Sequence, residues 1–495
     1  MPKLSIPFRK LTPVALAIGV LLLPAHSSVA QQSQIRVPEL GVGGGGTLSL
    51  SREHIIGDFY MRQIRALAPL ADDPVLREYL STLGNRLVMH TDNVRHPFNF
   101  FLVNDRSMNA FAFLGGHVGI HTGIIAEAQT ESELASVISH EIAHVTQRHI
   151  ARNMERMNAS GSLTLAQMVS GVVIGMINPA AGMAALTASV AGVQQRQINF
   201  TRQFELEADR VGMEALYRAG FDPEGAPAFF GRLAERYRYT NTPPQFLITH
   251  PLPNSRVADT RARAMQYGDR NVETSLEFEL AKARIRVRYS GRDAADILKD
   301  LIAERATLVD TTQIEGNNYG QVLALLATGE AEQAYNLIMP MRRAEPLNLF
   351  YLDTETDILL ELERENDAVE ILTKEYMRRP NNQVVTLNLA YAANAAGDYT
   401  LSRRVLNNFL IYNKDDMVAW SLLLEAYERQ GQINRMHEAR AEMYSLRGDF
   451  RAAIEELHNA ISKTEEDQDL TRQRMQARIE QFRALESERD RVAMN

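Results

Sequence analysis

The chain has 495 residues, of which 45% are hydrophobic and 23% charged, as is typical of a folded protein with two or three domains. Its formal net charge of −8 becomes −11 without three cationic residues near the N-terminus, which argues against a nucleic-acid partner. The sequence contains no cysteine, so disulfides are excluded and stability must come from packing and any bound metal.

The first thirty residues predict a signal for export. Lys3, Arg9 and Lys10 precede the apolar run LTPVALAIGVLLLP. Small residues follow this run and end at Ala30. The apolar run has about fourteen residues, fewer than the ~20 that a membrane-spanning helix needs. We therefore expect a signal peptide over 1–30 and an exported, soluble mature protein that starts with a flexible lead-in at 31–48.

A helical pattern over residues 49–90 is followed by two strand-like segments. These are FNFFLVND at 98–105 and AFAFLGGHVGIHTGI at 110–124, with Gly115 and Gly116 at a turn. The sequence therefore predicts a small β-sheet behind the first helices.

Residues 130–155 are predicted to form one continuous helix. Thr130 and Glu133 match a capping box, in which side chains satisfy free backbone donors of the first turn. A buried stripe is expected at Leu134, Val137, Ile138 and Val145. A metal site on a helix anchored in this way would be rigid.

The stretch SHEIAHVTQRH, residues 139–149, has the residue types of a metal site. A helix turns about 100° per residue, so His140 and His144 differ by only ~40° and project from one face. Two imidazoles one turn apart suit a tetrahedral zinc ion, and the adjacent carboxylate of Glu141 can take a proton from water. His149 lies about 140° from His144 by the same arithmetic, so we interpret it as a surface or packing residue.

A third ligand is predicted in FELEADRVGMEALYRAGFDP, residues 204–223, which indicates a helix ending near Gly220. Glu205 and Asp209 are one turn apart on this helix. An acidic helix face alone is usually a solubility feature, but next to the histidine pair Glu205 can bind zinc. Asp209 can accept a hydrogen bond from a ligand histidine, whereas Glu207 points away and is predicted to be solvated.

Residues 157–195 contain no Asp, Glu, Lys or Arg. Asn178 and Pro179 divide this segment into pieces of roughly fifteen residues, each shorter than the ~20 of a membrane span. Two buried or surface-lying helices are favoured over a membrane hairpin, and contact with a membrane surface stays open.

The C-terminal third repeats with a period of 34 residues. Two columns share this spacing: the column Ala334, Ala368, Ser402 and Met436, and the column Gly329, Glu363, Gly397 and Gly431. A 34-residue period is typical of tetratricopeptide repeats, in which small residues let paired helices approach. The pattern predicts a helical solenoid with a concave surface for partners.

The combination of these motifs resembles the HtpX-like and prenyl-protease group of zinc endopeptidases. Four motifs carry the resemblance: His140-Glu141-x-x-His144, Glu205-x-x-Ala208-Asp209, NAFAFLGGHVGIHTGII at 109–125 and HPLPNSR at 250–256. With its leader and repeats, the chain is similar to the periplasmic members from Gram-negative bacteria that support outer-membrane β-barrel assembly.

The resemblance implies a mainly α protein divided along the chain. A zincin-like α+β metallopeptidase domain with a small β-sheet is expected at 49–265, followed by a helical connector at 266–311 and a tetratricopeptide domain at 312–495. Such periplasmic members are associated with a disulfide between peptidase and repeats. This chain has no cysteine, so we expect noncovalent docking.

The resemblance also implies the roles of the site residues. One Zn²⁺ per chain would be bound by His140, His144 and Glu205. Glu141 would be the catalytic base, and Asp209 would be an orienting or proton-donating acid.

Two further roles stay open at the level of sequence. His250 follows a proline-bearing segment and is either a fourth zinc ligand that keeps the enzyme latent or a structural histidine. The strand around Gly119, Ile120 and His121 either pairs with an extended substrate or forms only an internal hairpin.

Two functions are compatible with this pattern. In the first, a periplasmic endopeptidase with chaperone activity degrades unfolded or misassembled outer-membrane proteins and supports their assembly, and its repeats recruit these proteins or the β-barrel assembly machinery. In the second, the protein is mainly a chaperone or scaffold of that machinery with a latent metal site.

Overall fold

The computed structural model describes residues 48–159, 191–236, 245–251, 254–268, 270–465 and 467–494. These residues form a mainly helical molecule with one small sheet, so the predicted fold class is confirmed. The predicted leader, the lead-in and the uncharged segment at 157–195 lie outside the described residues, except at their ends. In the part of the chain that the structure describes, no helix combines the length and apolarity needed to cross a bilayer.

The first half of the chain packs helices around the sheet. Its helices are α1 Leu50–Leu67, α2 Pro74–Val88, α3 Thr122–Glu127, α4 Glu131–Thr146, α5 His149–Ala159, α6 Ala191–Arg218, α7 Gly225–Arg236, α8 Gln245–Thr249 and α9 Asn254–Tyr267. Side-chain caps start several of them: Ser49 accepts the N–H of Arg52, and Asp73 accepts that of Leu76.

The sheet has three strands in the order β1-β3-β2, namely β1 Asn99–Val103, β2 Ala110–Phe113 and β3 His117–His121. β3 pairs in parallel with β1 and antiparallel with β2. The predicted turn at Gly115 and Gly116 joins β2 to β3, with φ of +84° and +88°. A Cβ on Gly116 would lie 2.2 Å from the carbonyl oxygen of Pro97, so only glycine fits there.

The helix predicted over 130–155 is interrupted, and the prediction of one continuous helix is wrong. α4 ends at Thr146 and α5 starts at His149, because Arg148 adopts a left-handed φ of +54°. The guanidinium of Arg148 donates from Nε to Glu53 of α1 over 2.8 Å, and this contact holds the break in place.

The second half of the described chain is a succession of helix pairs. Its helices are α10 Leu276–Arg288, α11 Ala294–Arg305, α12 Thr311–Ala327, α13 Ala331–Ala344, α14 Leu349–Glu361, α15 Glu365–Arg378, α16 Gln383–Ala395, α17 Tyr399–Leu410, α18 Met417–Arg429, α19 Ile433–Leu446, α20 Phe450–Ser462 and α21 Asp469–Met494. Asn348, Asn382 and Asp416 cap the first helices of successive pairs and are spaced by the predicted period.

The two sequence columns of the repeat have distinct structural roles. Ala334, Ala368 and Ser402 are buried between the paired helices, and Met436 is half-buried. The residues of the other column all have left-handed backbones at the turn inside a pair, at Gly329, Glu363, Gly397 and Gly431.

Noncovalent contacts join the repeats to the first half of the chain. Arg284 of α10 is buried and forms ion pairs with Asp73 at the start of α2 (2.6 Å) and Asp353 of α14 (2.7 Å). Further along, the repeat cap Asp416 pairs with Arg77 of α2 over 2.8 Å. These contacts agree with the docking expected for a chain without cysteine.

Candidate metal centre

Helix α4 positions the two histidines and the glutamate of the first motif. The Thr130 hydroxyl accepts the N–H of Glu133, and the Glu133 carboxylate accepts the N–H of Gln129, one residue before the cap. The helix is buried along most of its length. The capped and buried helix therefore holds His140 and Glu141 in fixed positions.

Four potential ligand side chains converge in the structure. One donor atom from each of His140, His144, Glu205 and His250 lies within 4.8 Å of the others. His140 and Glu205 are buried, and they come from α4 and α6, which pack against each other. The ligands predicted from the two separate helices therefore meet at one point, and His250 joins them.

The spacing of these atoms fits a tetrahedral metal. His140 Nε2 lies 3.0 Å from His144 Nε2 and 3.4 Å from His250 Nδ1. Glu205 lies 3.3 Å from His140 and 3.5 Å from His144. Two atoms each 2.0–2.1 Å from one zinc ion at a tetrahedral angle would be about 3.3 Å apart. Three nitrogens and one carboxylate are also a donor set that zinc prefers.

The neighbouring histidines favour the ionised form of Glu205 in this cluster. Burial alone would raise the pKa of Glu205, but the charges of His250 and His144 and hydrogen bonds from His140 and His250 hold it well below its usual value. An ionised carboxylate beside imidazole nitrogens is an electrostatically favourable place for a divalent cation.

Asp209 contacts His140 on the edge of the ring that faces away from the donor cluster. Its Oδ1 atom lies 3.0 Å from Nδ1 of His140, as expected for a carboxylate that fixes the tautomer of a ligand histidine. Burial favours the neutral acid, but hydrogen bonds from His140 and Arg256 lower the pKa of Asp209. Asp209 is therefore an acceptor in this arrangement.

The sequence does not predict a role for Arg256, but the structure places it in the site. It is 1% exposed and donates to both oxygens of Asp209 over 2.7 Å, and it lies 2.8 Å from Glu205. The sequence signal was its place at the end of the HPLPNSR motif, which also contains His250. A bidentate arginine of this kind fixes the orientation of both carboxylates.

Glu141 faces the same cluster from α4. It is 1% exposed, and burial raises the pKa of its carboxyl group even though His250 and His140 oppose the shift. The backbone N–H of Ala112 in β2 also opposes the rise in this pKa, and Nε2 of His250 lies 3.3 Å from Oε1 of Glu141. The predicted base thus lies between the cluster and strand β2.

The strand predicted to pair with a substrate lies in the middle of the sheet, whereas a substrate needs a strand with a free edge. Gly119, Ile120 and His121 belong to β3, which is the central strand and is paired along both edges. Pairing of a substrate with β3 is therefore wrong for this fold. In the described chain the outer edge of β2 carries no further strand, and β2 is the strand that contacts α4 and Glu141.

His149 is a packing residue, as one of its two predicted alternatives has it, but it lies against His144, and Glu207 is partly exposed and paired. His149 is buried, and its Nδ1 atom lies 2.8 Å from Nδ1 of His144. Glu207 lies 3.2 Å from His149 Nε2 and 2.9 Å from Arg152. The helical arithmetic failed for His149 because the break at Arg148 turns α5 back toward His144.

Comparisons with known proteins point to a peptidase. Residues 74–264 match the model of peptidase family M48. The beta-barrel assembly-enhancing protease of Escherichia coli (strain K12) is 40% identical over 474 residues, which cover 96% of this chain and 96% of that protein. A putative beta-barrel assembly-enhancing protease of Vibrio cholerae is 41% identical over 471 residues, covering 95% and 96%. Metalloprotease LoiP of Escherichia coli is 24% identical over 194 residues, covering 38% of this chain and 72% of that protein.

Proposed function

Since this chain belongs to peptidase family M48, we propose that it is a periplasmic endopeptidase that uses one zinc ion per chain and acts on unfolded or misassembled outer-membrane proteins. The observation that supports the zinc site most directly is the convergence of donor atoms from His140, His144, Glu205 and His250 within 4.8 Å. In this proposal His140, His144 and Glu205 are the permanent ligands.

Zinc, when bound, supplies a Lewis acid that polarises a peptide carbonyl and lowers the pKa of water to roughly 7. Glu141 is the base that takes the proton from the attacking water. Its burial supports this role, because a raised pKa brings a carboxyl group closer to the working range of a base near neutral pH. The same carboxyl can then pass the proton to the departing amine.

Asp209 and Arg256 keep the ligands in place during the reaction. Asp209 Oδ1, 3.0 Å from Nδ1 of His140, would hold the ring proton on that nitrogen and leave the lone pair of Nε2 directed at the cluster. Arg256 holds Asp209 through two hydrogen bonds of 2.7 Å. We assign Asp209 to orientation of His140 in preference to proton donation, because Arg256 engages both of its oxygens and one of them lies 3.0 Å from Nδ1 of His140.

His250 acts as a latch in this proposal. Its Nδ1 atom lies 3.2 Å from Glu205, while its Nε2 atom lies 3.3 Å from Glu141. One imidazole can thus complete the metal's ligand set and at the same time engage the base. The enzyme would be latent until the segment that carries His250 moves.

An extended substrate would pair with the outer edge of β2. Backbone pairing recognises an extended conformation and few side chains, which suits a protease that acts on unfolded chains. The N–H of Phe246 donates to the carbonyl of Met108 beside the start of β2. The segment that carries His250 therefore lies next to the same edge.

The proposed clients and compartment rest on the relatives and the leader. The relatives that match nearly the whole chain are named for β-barrel assembly. We propose that the repeats at 312–495, joined by a connector at 266–311 to a peptidase domain at 49–265, bind clients or the β-barrel assembly machinery. We keep contact of residues 157–195 with a membrane surface as an additional hypothesis.

The change Glu141→Gln tests the catalytic proposal. It removes the base while preserving size and zinc ligands, so we expect a loss of casein cleavage of about 100-fold or more. Zinc content by metal analysis should match that of the parent. Glu131→Gln, about 15 Å away along the same helix, is the matched control and should cleave casein like the parent.

Three results would reject the proposal. The first is parental cleavage by Glu141→Gln at parental zinc content, and the second is cleavage by the parent that a chelator leaves unchanged. The third is a Glu141→Gln chain that replaces the parent fully in cells, which would support the chaperone or scaffold function.

A further inference from the structure

His149 contacts the back of a proposed zinc ligand. Its Nδ1 atom lies 2.8 Å from Nδ1 of His144, whose Nε2 atom faces the donor cluster. On its other side, Nε2 of His149 lies 3.2 Å from Glu207. The His149 ring stacks on Phe204, with centroids 4.3 Å apart and planes 19° apart. The imidazole is therefore held on two edges and one face.

The contacts that run from His144 through His149 to Glu207 permit only one arrangement of protons when His144 is a neutral ligand. His144 must then keep the Nε2 lone pair free and carry its proton on Nδ1. That proton is donated to Nδ1 of His149, which must therefore carry its own proton on Nε2. The Nε2 proton is in turn donated to the carboxylate of Glu207. Each donor meets an acceptor, and the tautomer of His144 is determined.

The break between α4 and α5 brings His149 into contact with His144. In an uninterrupted helix the side chain at 149 would lie about 140° away from His144. Arg148 instead adopts a φ of +54°, a left-handed conformation that costs free energy in a residue with a Cβ. The ion pair of Arg148 with the buried Glu53 offsets this cost. The residue that precedes His149 thus keeps a strained backbone, and this strain allows His149 to reach His144.

We propose that His149 is a positioning residue for His144, fixing the tautomer and ring plane of this ligand so that its Nε2 lone pair points at the metal. The inference deepens the proposed function and rests on it. Asp209 serves His140 through a carboxylate, whereas His149 serves His144 through a second imidazole backed by Glu207. Each histidine of the first motif therefore has its own orienting partner.

The changes His149→Leu and His149→Asn test this role in the full mature chain. Leu and Asn have nearly the same shape, but only Asn carries an oxygen that can accept from His144 where Nδ1 of the imidazole was. Zinc affinity is measured by competition with a chromogenic chelator, and the geometry at the site by the visible spectrum of the Co²⁺-loaded protein. Loss of an orienting partner weakens metal binding by about 10–100-fold, which we expect for His149→Leu together with an altered Co²⁺ spectrum. His149→Asn should stay within about threefold of the parent and keep its spectrum, because the acceptor is restored.

The outcomes separate this inference from the proposed function. Parental zinc affinity in His149→Leu would overturn the inference alone, and equal weakening in both variants would assign His149 to packing only. A parent chain that binds no zinc would overturn both. If His149→Leu does not fold, His149→Gln replaces it, since its amide reaches the position of Nε2 and not that of Nδ1. His149→Gln is expected to bind zinc as weakly as His149→Leu, and an affinity equal to that of His149→Asn would overturn the inference.

Discussion

In the function proposed here, His250 is the residue on which latency depends. Its two ring nitrogens face different partners, Glu205 and Glu141. The backbone N–H of His250 donates to the carbonyl of Phe246, which is buried and packs its ring 4.9 Å from the imidazole. The imidazole is thus held by a short helix whose displacement would withdraw it from both carboxylates.

We expect His250→Ala to raise casein cleavage by the mature protein. The change removes the imidazole from the fourth ligand position and from Glu141, and it leaves the three other ligands unchanged. Initial cleavage rates at equal zinc content measure the effect. Thr249→Ala alters the preceding side chain and is the matched control, with a rate expected to equal that of the parent. An unchanged rate would make His250 a structural histidine and a lower rate would assign it a catalytic role, and either result would reject the latch.

Residues whose partners are close in sequence could be predicted, and those whose partners are distant could not. The i, i+4 spacing of His140 and His144 fixes their common face whatever the rest of the fold does. The burial of His149 depends on the contact of Arg148 with Glu53, which is 95 positions away along the chain. The role of Arg256 likewise depends on α6 and α9 meeting.

At the scale of elements, the turn inside each repeat is limited by its backbone. Gly397 and Gly431 have φ of +78° and +68° at this turn, and Glu363 occupies the equivalent position with φ of +56°. Glycine adopts this region at no steric cost, whereas a residue with a Cβ is strained there. The imperfect match of Glu363 to its column is therefore a local weakness of one repeat.

We expect Glu363→Gly to stabilise the protein by roughly 0.5–1 kcal/mol. The change relieves about 1–2 kcal/mol of left-handed strain and costs about 0.5–1 kcal/mol in unfolded-state entropy. The reciprocal change Gly397→Ala is the matched control. Its added Cβ meets no atom within 4 Å, so only the strained backbone opposes the change, and we expect this strain to destabilise the protein. Urea unfolding of both variants measures the difference. Stabilisation by Gly397→Ala, or destabilisation by Glu363→Gly, would contradict the strain argument.

The elements themselves were predictable to different degrees. The repeat helices follow from a 34-residue period that recurs in caps, buried small residues and turns, so errors at single positions do not matter. The sheet was harder, because alternation marks a strand but does not say which neighbour it pairs with. For that reason the sequence predicts a free edge at β3, whereas in the structure β1 and β2 pair with both of its edges.

At the scale of the whole molecule, one buried cation joins the two halves of the chain. Besides its pairs with Asp73 and Asp353, Arg284 donates to the hydroxyl of Tyr319 over 3.0 Å. Burial acts to raise the pKa of Asp73, but the charges of Arg284 and Arg288 and a hydrogen bond from Arg284 lower it. Asp73 also caps α2. The ion pair therefore connects the repeats to a helix that packs on the sheet and on α4.

We expect Arg284→Met to lower the free energy of unfolding by about 3–5 kcal/mol, because it removes the cation that contacts both buried carboxylates. The methionine side chain fills similar space, so the loss reflects charge more than volume. Arg286→Met on the same helix removes a half-exposed pair with Glu304 and should cost only about 0–1 kcal/mol. Urea unfolding of the zinc-loaded protein compares the two. Equal losses would show that the buried pair does not hold the repeats to the peptidase, and that the apolar contacts between α2 and the repeats suffice. A large loss confined to Arg284→Met would mean that a chain without cysteine replaces a covalent link between its halves with a buried network of charges.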